Sequence, residues 1–81
     1  MFSEDRIESA YYFFHQKLRV YEFSRSQTQR DDIEYATSQY VDGMNPALYM
    51  LLANGTPHCL LDHTTFEQDM RHAIERLDGM M

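Results

Sequence analysis

Residues 3–23 read SEDRIESAYYFFHQKLRVYEF, and this stretch decides the fold. Ser3 is a good helix N-cap, and Glu4 and Asp5 suit the positive end of a helix dipole. From there Ile7, Ala10, Tyr11, Phe14, Leu18 and Tyr21 recur at steps of three and four, which draws one apolar stripe. No glycine or proline interrupts the run before Ser24. The expectation is one helix from about Glu4 to Phe23, roughly 30 Å long.

The same helix carries a second apolar set. Tyr12, Phe13, Val20 and Phe23 fall mostly on the other side of the wheel, with Glu8, His15, Arg19 and Glu22 along one flank. A surface helix in a monomer needs a single stripe. A second one left in water is an exposed patch of the kind that marks partner sites. The remaining helices read as too short to enclose it. Tyr12, Phe13, Val20 and Phe23 are therefore the candidate protein-interface residues, and a homodimer is the simplest assembly.

Working outward, Ser24 to Gln27 form a polar link, and Ser26 or Thr28 caps a second helix with Asp31 and Asp32 in its first turn. Ile33, Ala36, Tyr40 and Val41 make its stripe, and Gly43 is placed to end it as a left-handed residue. Asn45-Pro46 is a start signal, a capping side chain followed by proline at the first helical position. The third helix, through Leu48, Met50, Leu51 and Leu52, is short and apolar enough to predict near-total burial, and Asn54-Gly55 stops it. A loop follows, anchored by Leu60 and Leu61. Thr64 with Glu67, or Thr65 with Gln68, fits a capping box for a last helix striped by Phe66, Met70, Ala73, Ile74 and Leu77 and ended by Gly79. Strand alternation never persists. The fold class is all-α: one four-helix domain over residues 1–81, with a long first and a short third helix, assembling as a helical dimer.

Charge narrows the function. From Asp31 to Met70 there is no lysine or arginine, while Asp31, Asp32, Glu34, Asp42, Asp62, Glu67 and Asp69 are acidic. The net charge is −6. The centre of the chain reads as helix, turn, helix, yet a DNA reader needs cations for phosphates. Its would-be recognition helix, Pro46 to Ala53, offers no side chain for a base edge. Direct nucleic-acid binding is not expected. Lys17, Arg19, Arg25 and Arg30 cluster around the first link, where they read as surface charge pairing with Glu22, Asp31 and Asp32.

No apolar run approaches the roughly 20 residues of a membrane span, and residues 1–9 lack the form of a signal peptide. Cys59 is the single cysteine, so no internal disulfide forms, which fits a reducing compartment. A cytoplasmic protein without membrane association is expected.

His58, Cys59, Asp62 and His63 lie close together, with His72 further on. These are zinc-ligand types, but adjacent His58 and Cys59 match no metal spacing. The expectation is a loop with the thiol inward and the histidines in water. A nucleophile needs an orienting group and an oxyanion site as well, which a small helical domain scarcely provides. Asp31, Asp32 and Glu34 lack the spacing and central glycine of a calcium loop. No glycine-rich phosphate loop exists among the three glycines, so no cofactor is expected.

The function this supports is a small acidic protein–protein interaction or regulatory protein that acts without catalysis. Two alternatives are an acidic decoy that blocks a nucleic-acid-binding protein, and a metal-binding protein using the His58, Cys59 and His63 loop. The decoy is weakened by modest charge, since duplex DNA carries one charge per roughly 1.7 Å.

Overall fold

The computed structural model describes residues 3–81. It is all-helical, with α1 Glu4–Phe23, α2 Gln27–Asp42, α3 Pro46–Ala53 and α4 Phe66–Met80, and no strand among the described residues. A three-residue 3-10 turn, His63–Thr65, leads into α4. The molecule measures 38 × 23 × 20 Å, its long axis set by α1.

The caps explain the boundaries. Ser3 accepts a hydrogen bond from the Arg6 N–H, and Ser26 accepts one from Gln29. Gln27 to Arg30 occupy the first turn of α2, so Asp31 and Asp32 sit one turn further in than expected. Asn45 Oδ1 accepts from the Ala47 and Leu48 N–H groups at 2.9 and 3.3 Å, with Pro46 opening α3.

Three local expectations are corrected. Gly43 is right-handed, with φ −89°; the left-handed stop belongs to Asn54 at φ 50°, followed by Gly55 at φ 80°. Neither capping box forms at α4. Asp62 caps the preceding 3-10 turn, accepting from the Thr64 N–H at 2.9 Å and its hydroxyl at 2.8 Å, while Thr65, at the N-cap of α4, makes no side-chain cap and donates its hydroxyl to Asp69 at 3.0 Å. The Thr65 hydroxyl is engaged by a side chain of the first turn of α4 instead of its backbone N–H groups. Finally, α4 runs through Gly79 to Met80.

The core is one cluster. Phe14, Leu48, Leu52, Leu60, Phe66, Met70 and Leu77 are fully buried. α1 packs chiefly against α4, which in turn receives α3, while α2 closes a hairpin on α1. Of the predicted stripe of α1, Ile7, Ala10, Phe14, Leu18 and Tyr21 are buried, while Tyr11 is half-buried at its edge. α3 departs from its reading. Leu48, Leu52 and Ala53 face inward, but Met50 is 71% and Leu51 51% exposed. A helix packed on one neighbour buries one side only, whatever its composition.

Arg76 donates to the Leu52 carbonyl and so meets the C-terminal end of α3. Asp69, buried under the loop, accepts from the Leu60 N–H at 2.9 Å. That bond holds Leu60 in a left-handed conformation, φ 67°, which a leucine rarely adopts unaided.

Candidate functional site

The four side chains singled out on α1 do not share one environment. Phe13 is half-buried. Its ring stacks on Tyr40 of α2 at a centroid distance of 4.0 Å and an angle of 11°, and Lys17 Nζ lies 5.5 Å from its centre. It closes the α1–α2 hairpin. Tyr12, Val20 and Phe23 are exposed, at 65%, 39% and 79%. With Gln16 and Arg19 they occupy the side of α1 that faces away from the core.

Val20 and Phe23 form one wall of an open groove of about 320 Å³, completed by Arg19, Ser24 and Gln29. The groove is built by the link between helices. Ser24 ends α1 by donating its N–H to the Tyr21 carbonyl, and its hydroxyl donates to Gln29 at 2.7 Å. That contact holds the start of α2 beside the end of α1.

The cations around this groove are not paired as expected. Among the described residues, Lys17, Arg19 and Arg25 make no ion pair, and nor do Asp31, Asp32 or Asp42. Glu22 meets Arg71 of α4, which also reaches Glu67 at 3.2 Å. Arg30 lies over the Tyr21 ring at 5.0 Å.

Sequence reasoning missed Tyr35, which is 67% exposed on α2 between Asp31, Asp32 and Gln39. The signal was there. An aromatic ring on the polar side of an amphipathic helix has no core to enter.

The histidine and cysteine loop comes apart in three dimensions. Cys59 is buried, and its carbonyl accepts a 2.7 Å bond from the Tyr49 hydroxyl. Burial, then the nearby Asp69 carboxyl, pushes the thiol pKa up to about 11. Such a thiol is a poor ligand and a poor nucleophile. His58 and His72 are exposed, and His63 is held on Glu34. Among the described residues no three of these groups converge as metal ligands. A cleft of about 520 Å³ lies where α1 meets the α2–α3 turn. Among the described residues Arg6 is the one charged side chain lining it.

No protein-family model, curated protein or solved structure matches the chain. The site thus rests on its own geometry. Among the described residues no helix is long and apolar enough to cross a membrane.

Proposed function

We propose that this chain is a small acidic regulatory protein that acts by docking on another polypeptide and performs no reaction itself. It works as a homodimer in a reducing compartment such as the cytoplasm, where a lone thiol is at home. The observation that carries the reading is the outer side of α1: Tyr12, Val20 and Phe23 stand in solvent beside cations that the chain leaves unpaired.

Aromatic side chains with an apolar body and few rotamers are the usual anchors of protein interfaces. Charged groups at the rim set encounter rate and partner choice. Phe23 supplies the anchor, Arg19 and Arg25 the rim. The mechanism is occupancy of a surface.

A benzoyl-phenylalanine photo-crosslinker placed at position 23 tests it, with position 75 on the exposed side of α4 as control. A discrete protein adduct from position 23 and none from position 75 is expected. Equal, diffuse labelling from both positions would remove the docking face.

A further inference from the structure

Two stripes of opposite charge run along neighbouring helices. On α1, Arg19 and Phe23 are one turn apart on exposed surface, with Val20 beside them. On α2, Asp32 and Tyr35 are likewise about one turn apart and exposed, with Asp31 adjacent. Each stripe is a charge followed by an aromatic ring. Among the described residues neither set of charges is used in an ion pair.

The hairpin fixes their relative heights. Phe13 stacks on Tyr40, and the Tyr21 hydroxyl donates to Glu34 at 3.2 Å. The helices are thus antiparallel. Arg19 lies level with the turn that carries Tyr35, and Phe23 lies level with the start of α2. A twofold axis running along the hairpin preserves these heights while exchanging the helices. It sets α1 of one copy on α2 of the other, and the reverse contact follows by symmetry.

Resting on the docking reading above, we propose that the occupant of the α1 face is a second copy of this chain, with the Arg19, Val20 and Phe23 stripe of each protomer seated on the Asp32 and Tyr35 stripe of its partner. The partner's Asp32 falls between Arg19 and Phe23, and the partner's Tyr35 lies against Val20 and Arg19. Arg19 then gains a carboxylate and an aromatic face at once. Two copies with net charge −6 repel as wholes, so a local match of signs is what makes self-association specific.

Sedimentation equilibrium measures the assembly, and circular dichroism checks that each variant stays folded. The parent chain is expected to sediment at twice 9.7 kDa. Phe23→Ser weakens the dimer roughly tenfold or more, as loss of an interface anchor does. Arg19→Asp and Asp32→Arg each weaken it severalfold, and the chain carrying both recovers most of the loss. A parent chain that is monomeric at 100 µM, or a double variant as weak as the two losses combined, would overturn the twofold pairing. If that monomer still gives a discrete heterologous adduct from position 23, the docking face stands and only the identity of its occupant fails.

Discussion

The Nδ1 atom of His63 lies 2.9 Å from both carboxylate oxygens of Glu34, across a separation of 29 residues in sequence. The same carboxylate accepts from the Tyr21 hydroxyl at 3.2 Å. One side chain on α2 thereby ties down both the end of α1 and the 3-10 turn that opens α4. The hydrogen bond to Glu34 and the charge it carries raise the His63 pKa above its ordinary 6.5.

Stability should depend on this contact in a defined direction. A histidine whose pKa rises on folding stabilises the folded state fully below the unfolded value, and that gain disappears as pH rises through the folded value. His63→Gln is therefore expected to lower the urea midpoint at pH 5.5 more than at pH 8.5. NMR titration of the His63 ring should show its pKa falling toward 6.5 in Glu34→Gln. An unchanged titration would mean that the contact is absent in solution.

Thr37 is completely buried, and among the described residues its hydroxyl has no hydrogen-bond partner. Burying an unpaired hydroxyl is unfavourable, and valine has nearly the same shape. Thr37→Val is expected to stabilise the fold by about 1 kcal/mol, read from chemical denaturation.

Asp69 holds the buried Leu60 N–H and the Thr65 hydroxyl. Asp69→Ala leaves that N–H without a partner and frees a strained loop. A loss of about 2–3 kcal/mol is expected from the missing bonds to a charged group. Amide exchange localises the damage: the loop before α4 should lose protection first.

The Cys59 thiol, buried and with its pKa raised to about 11, should resist modification in the folded chain. Ellman's reagent at pH 7.5 is expected to react at least a hundredfold more slowly than in denaturant, because so little thiolate is present and access is closed. Fast labelling of the native protein would contradict the packing of this loop.

Phe13 and Phe23 should separate cleanly in stability measurements. Phe13→Ser removes a stacked pair and part of the hairpin seam, at a cost of about 1–2 kcal/mol. Phe23→Ser touches no core, so its effect on the fold of the protomer stays within about 0.5 kcal/mol. Its expected effect is on the proposed self-association, read by sedimentation equilibrium.

Much of this architecture was legible in the residues because its signals are local. The buried stripe of α1, the Ser3, Ser26 and Asn45 caps, and proline opening α3 all depend on neighbours within one turn. The start of α4 was misread because Asp62, Thr64 and Thr65 all offer capping oxygens. Asp62 took the 3-10 turn, and the Thr65 hydroxyl bonds the Asp69 carboxylate one turn into α4 rather than a backbone N–H. α3 looked fully buried because composition does not reveal how many neighbours a helix has.

An all-helical chain with a cation-free acidic middle and a surplus of aromatic side chains on its first helix was settled by residue order alone. Periodicity and capping act over a few residues, and charge is additive. Which of those aromatic side chains remain in water was decided only in three dimensions. Tyr40 comes from another helix to cover Phe13, whereas Phe23 stays 79% exposed at the edge of its groove. Contacts between distant parts of a chain carry no periodic signature, so which rings stay exposed is fixed only once the hairpin has closed.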